Sequence, residues 1–240
     1  PDEYVLYSAH WDHLGHCLAA PDGDDICNGA VDNATGTAAL VALAQANVKA
    51  GPSDRSQVFL AVTGEESGLL GSAYYGNNPV FPFSKTVGGV NMDALSVAGL
   101  AKNVVVIGKG KSQLDAYLDR ALGAQGRVAT LEPTPEKGYY YRSDHFSFAK
   151  HGLPMLYFEG GEDLVKGGTA AGMAAAEDYT EHRYHGPKDE YDPNWDWTGV
   201  AADLKLYYDV GRALANTTDW PNWVDGDEFR AIRDKCRAGK

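Results

Sequence analysis

The chain is 240 residues long and 44% hydrophobic, which suits one large domain with a sizeable core. A formal net charge of -12 argues against nucleic acid and anionic membranes as partners, because both would repel it. No apolar stretch is long enough to cross a bilayer, so no membrane partner is expected, and the sequence sets no oligomeric state.

The chain begins at Pro1 and enters strand-like sequence within two residues, so further residues are expected upstream. EYVLYSA (3–9) reads as a strand, followed by a Gly/Asp/Pro-rich loop at 15–30. ATGTAALVALAQANVKA (34–50) reads as a helix capped near Asp32 or Asn33. QVFLAVT (57–63) is a strand and SGLLGSAYYGN (67–77) a helix. TVGGVNM (86–92) and NVVVIG (103–108) are further strands. SQLDAYLDRALG (112–123) is a helix with Leu114, Leu118 and Leu122 on one face. SDHFSFAKHG (143–152) is a short helix stopped by glycine, and PMLYFEG (154–160) is a strand. A Gly/Ala-rich loop is expected at 161–176. The last clear helix is 198–217, with Val200, Leu204, Tyr207, Tyr208, Gly211 and Leu214 on one face, and the following DWPNWVDGDEF reads as irregular. Alternating strands and helices predict an α/β domain with a largely parallel sheet and helices on both faces.

Ligands of open α/β sheets bind beyond the carboxyl ends of the strands. There the first strand runs into His10 and Asp12, the second into Glu65 and Glu66, and the third into Asp93. Asp32 precedes a helix, and RYHGPKDEYD supplies His185 in a turn-rich stretch. His10, Asp32, Glu66, Asp93 and His185 are all suitable ligands for a borderline divalent ion. Their three carboxylates outweigh one dication; two dications with a bound hydroxide bring the site close to neutral. Two metals would therefore relieve the repulsion between adjacent Glu65 and Glu66. In extended backbone residues i and i+2 point the same way, so Asp12 is expected to accept the ring N–H of His10 and aim its other nitrogen at metal.

Other polar features carry plainer readings. His13, His16 and Cys17 are read as loop residues, because a separate closed zinc site takes four clear ligands. Cys17 and Cys27 bracket one short loop, either as two thiols or as a disulfide that would imply an oxidising compartment, with Cys236 left over. IGKGKS (107–112) fails the phosphate-loop spacing and reads as a turn. YYY (139–141) is expected to line a substrate pocket because it precedes Arg142; Trp195 and Trp197 suit either the cleft or the core. His145 reads as a helix-start residue near the cleft, and His151 as surface.

AHWDHLG, NGAVDNATGTAALVALA, TGEESGLLGSAYY, NMDAL, RSDHFSFAKHGLP and YHGPKDEYD, in that order, resemble the co-catalytic two-zinc exopeptidases, the family of aminopeptidase Y and the bacterial leucyl aminopeptidases. Glutamate carboxypeptidase II, transferrin receptor and glutaminyl cyclase are more distant relatives. The resemblance covers roughly residues 4–215. It implies a three-layer α/β/α sandwich with a mixed, mostly parallel central sheet. Residues 1–216 would form the metallopeptidase catalytic domain, and 217–240 a tail packed on it. The family's domain usually carries strands before the first one here, so that portion is expected to be missing.

By position, the resemblance assigns His10, Asp32 and Asp93 to one zinc, and Asp32, Glu66 and His185 to a second, with Asp32 bridging. Glu65 matches the general base, Tyr184 a tyrosine that hydrogen-bonds the substrate carbonyl, and, more loosely, Arg142 a contact to substrate backbone. The implied activity is hydrolysis of N-terminal residues from peptides by a secreted or periplasmic enzyme. Alternatives are a glutaminyl-cyclase-like transferase with one zinc, a non-catalytic receptor that has lost its ligands, and a carboxypeptidase for acidic C-termini. The last would need a basic pocket, for which only Arg142, Arg183 and Lys188 are placed.

Overall fold

Strand β1 (Tyr4–His10) is buried along nearly its whole length, and the sheet extends outward from it. The computed structural model describes residues 2–239. After β1 come a two-stranded hairpin, β2 (Gly15–His16) and β3 (Ile26–Cys27), then a kinked turn, Ala30–Thr35, and helix α1 (Gly36–Ala50). There follow β4 (Ser56–Val62), α2 (Leu70–Asn77), β5 (Thr86–Asn91), β6 (Asn103–Ile107), α3 (Asp115–Gln125) and β7 (Val128–Leu131). The chain ends with α4 (His145–Ala149), β8 (Met155–Gly160), α5 (Gly168–His182), α6 (Thr198–Ala215) and α7 (Arg230–Ala238).

The six-stranded sheet has the order β4-β1-β5-β8-β6-β7. Neighbours among β4, β1, β5 and β8 are parallel; β6 runs antiparallel to β8, and β7 parallel to β6. Period-2 alternation divides β1 between two cores. Val5, Tyr7 and Ala9 pack with Leu43, Leu206 and Leu214 of the α1 and α6 layer. Leu6 packs with Phe83, Phe148 and Met155 on the α2 and α4 side. Full burial of a valine, leucine, phenylalanine or methionine side chain of this kind contributes about 1.5–3 kcal/mol. The result is an α/β fold in three layers around a mixed, mostly parallel sheet.

Three segments depart from the sequence expectation. The stretch expected as loop at 161–176 holds most of α5, because its alanines favour helix more than its glycines oppose it. Strand β7 is short and half-exposed, too weakly patterned to see in advance. Residues Arg230–Ala238 form α7 beyond the irregular stretch; Trp223 and Arg233 are buried, the Arg233 guanidinium donating to the Phe83, Thr86 and Val87 carbonyls. YYY is a single helical turn; Tyr140 is buried edge-on against the His145 ring, while Tyr139 and Tyr141 are exposed. Cys17 and Cys27 form a disulfide at the base of the hairpin, and Cys236 is a free thiol.

Candidate metal centre

The parallel strands end on one rim and deliver the expected residues to it. His10 is the last residue of β1, Glu65 and Glu66 follow β4, and Asp93 lies just beyond β5. Asp32 sits in the kinked turn before α1, outside helical backbone geometry. His185 follows α5 with a left-handed φ of 56°.

Two residues absent from the expected set hold that turn. The buried Asp189 carboxylate accepts the Val31 N–H at 2.9 Å and the Asp32 N–H at 3.0 Å, 158 and 157 residues away. Such charge-assisted bonds are worth roughly 1.5–3 kcal/mol each. Asn33 Nδ2 donates to the Met92 carbonyl, and its Oδ1 accepts the Gly36 and Ala94 N–H groups. Asp32 is thereby tied to the His185 loop on one side and to the Asp93 loop on the other.

The side chains converge in two sets. His10 Nε2 stands 3.2 Å from Asp32 Oδ1 and 3.2 Å from Asp93 Oδ1. His185 Nε2 stands 3.3 Å from Asp32 Oδ2 and 3.1 Å from Glu66 Oε2. Asp32 thus offers a different oxygen to each set. Ligands 2.0–2.1 Å from a tetrahedral zinc ion stand about 3.3 Å apart along each edge, which the histidine-to-carboxylate spacings of both sets match. A carboxyl oxygen of Glu65 lies within 4.8 Å of ligand-type atoms of His10 and Glu66. The remaining oxygens have outer partners: Ser143 Oγ donates to Asp93 Oδ2 at 2.6 Å, and His13 Nδ1 lies 2.7 Å from Glu66 Oε1.

The model of peptidase family M28 matches residues 1–208. The chain belongs to peptidase family M28. Among solved structures, LapA aminopeptidase of Legionella pneumophila superposes with a TM-score of 0.65 at 17% identity, over 90% of this chain and 52% of LapA. A Zn-dependent exopeptidase of Parabacteroides distasonis gives 0.54 at 18% identity, over 90% of this chain and 74% of its own. A glutaminyl cyclase of Bacteroides thetaiotaomicron gives 0.53 at 14%, over 91% and 74%. At these identities the likeness is one of fold, and the M28 chain spans about half the length of LapA. A search of curated proteins found no match.

Electrostatics of the M28 site reflect its crowding. Burial disfavours a charged His10, but Asp32 and Asp93 reverse this and raise its pKa to about 12. His185 is raised to about 10 by its hydrogen bonds to Asp32 and Glu66. Burial opposes ionisation of Glu66, yet His13 and His185 outweigh it and lower its pKa to about 2. Asp32 is driven well below the usual carboxylate range, its burial outweighed by His10 and His185. Glu65 goes the other way: burial first, then the Asp93 charge, push it up to about 8.

Some expected contacts differ. The His10 Nδ1–H donates to the backbone carbonyl of Asp12 at 3.1 Å, while the Asp12 carboxylate stands 3.8 Å away. Strand β1 ends at His10, so the i, i+2 rule does not extend to Asp12. Nδ1 is thereby turned to the backbone and Nε2 to Asp32 and Asp93. Tyr184 stacks on the His185 ring at 3.9 Å. Arg142 is exposed, its guanidinium over the Tyr139 ring, and Trp197 is also exposed. His13, set aside as a loop residue, lies in the centre; its HLG context gave no sign of which carboxylate it would meet.

Proposed function

We propose that this chain carries the catalytic site of a two-zinc aminopeptidase that removes N-terminal residues from peptides. The observation that supports this most is the division of Asp32, whose two oxygens face two separate histidine-and-carboxylate sets at 3.2 and 3.3 Å. Bound there, a pair of divalent ions would supply Lewis acidity and make water nucleophilic near neutral pH. His10, Asp32 and Asp93 would hold one ion, and Asp32, Glu66 and His185 the other. Glu65 takes the proton of the attacking water and passes it to the leaving amine. A carboxyl oxygen of Glu65 reaches the centre beside His10 and Glu66, within range of a water held there. Burial and the facing carboxylates raise the Tyr184 pKa, so its hydroxyl stays protonated and donates to the scissile carbonyl oxygen. Arg142, at the rim, contacts substrate backbone. Asp12 fixes the His10 tautomer through its carbonyl.

Arg183 pairs with Asp178, and Lys188 with Asp22, so neither is left to anchor an acidic C-terminus. The Cys17–Cys27 disulfide supports a secreted or periplasmic location. The test is a panel of aminoacyl-anilides beside their N-acetylated forms, with and without chelator. Free-amine substrates should be cleaved, acetylated ones spared, and the chelator should abolish turnover. Cleavage of blocked substrates would overturn the aminopeptidase assignment, and indifference to chelator the metal.

A further inference from the structure

The His13 side chain, 6% exposed, lies against the metal centre without belonging to either proposed ligand set. Its Nδ1 lies 2.7 Å from Glu66 Oε1, the oxygen that faces away from His185. An ionised carboxylate only accepts, so the proton of this bond sits on Nδ1. His13 Nε2 is buried with no hydrogen-bond partner among the described residues, so Glu66 is the polar group that holds the ring. The ring is seated closely. Gly29 has a left-handed φ of 64°, and a Cβ there would overlap the His13 ring and the Asp32 carbonyl. The edge of the His185 ring closes another side, with centroids 5.7 Å apart. Asp93 has the matching arrangement, one oxygen toward His10 and the other held by Ser143.

We propose that His13 is a positioning residue: it holds Glu66 Oε1 so that Oε2 is presented, in a fixed rotamer, to the ion shared with Asp32 and His185. The proposal rests on the two-ion reading above. Outer partners of this kind typically change metal affinity by about 10- to 100-fold when removed.

Chelator competition on the zinc-loaded chain measures the affinity of each ion. Two equivalents are expected in the wild type; a single one would overturn the two-ion reading, whatever His13 does. His13→Ala should weaken one equivalent by about 10- to 100-fold and leave the other unchanged. His13→Asn, whose side-chain NH2 can stand where Nδ1–H stood, should recover most of that loss, and His13→Gln less. Unchanged affinity in His13→Ala, or equal weakening of both ions, would overturn the proposal. Long-range 1H–15N NMR of the zinc-loaded wild-type chain decides the matter without any variant: the His13 ring should carry a proton on Nδ1. A bare Nδ1 would overturn the positioning role.

Discussion

Glu65 is a half-buried and His145 a fully buried titratable group, and their environments set them different tasks. Glu65 touches the centre without belonging to a donor set, and burial beside Asp93 holds it up to about 8. Glu65→Ala should retain both zinc ions but lose about 10²–10⁴-fold in kcat, read by anilide hydrolysis alongside metal analysis; wild-type turnover in that variant would mean that the base is elsewhere. His145 is fully buried and edge-on to Tyr140, and burial lowers its pKa to about 3. Its folded pKa lies below its unfolded value of about 6.5. The unfolded chain therefore takes the proton first, and stability present above about pH 6.5 is lost as pH falls toward 3. By about pH 5 this group alone should cost roughly 2 kcal/mol, and His145→Phe should flatten that part of the acid limb in urea melts; an unchanged limb would show that His145 does not contribute. Of the proposed site residues, His10, Glu65, Glu66 and Asp93 were legible as ligand types at strand ends, and Asp32 and His185 only through the resemblance. Asp189, Asn33 and Ser143 were not, because they act through hydrogen bonds that only the folded chain closes, 50 to 158 residues away.

Among the elements, α6 shows how tightly the layer behind the site is packed. Gly211 faces the sheet, and a Cβ there would overlap the Tyr7 hydroxyl, which is fixed by Gln57 at 2.8 Å. Gly211→Ala should destabilise by roughly 1–3 kcal/mol, although alanine in a helix ordinarily gains about 1. A raised Tm would show that Tyr7 has room to move. The β2–β3 hairpin carries the disulfide and follows directly on the segment bearing His13. Replacing both cysteines by serine frees a loop of separation 10 and should cost about 2–3 kcal/mol. Urea denaturation checks it, and no loss would mean that the hairpin is held by its other contacts. Helices α1 and α6 and strands β1, β4, β5 and β8 were readable from periodicity and length. Helix α5 was not, because its opening glycines masked the alanines that follow.

For the molecule as a whole, the sheet gathers carboxylates that are far apart in the sequence onto one rim. Four neighbouring parallel strands point their carboxyl ends the same way, and three of them bring His10, Glu65, Glu66 and Asp93 together. The alternating pattern made the α/β class legible, whereas the reversal of β6 and β7 leaves no mark in periodicity. Carboxylates this close and this buried repel one another unless positive charge stands between them. The most direct measurement is anomalous diffraction at the zinc edge from crystals of the zinc-loaded chain. Two peaks per chain are predicted, one among His10, Asp32 and Asp93 and one among Asp32, Glu66 and His185. A lone peak, or none beside Asp32, would contradict the account.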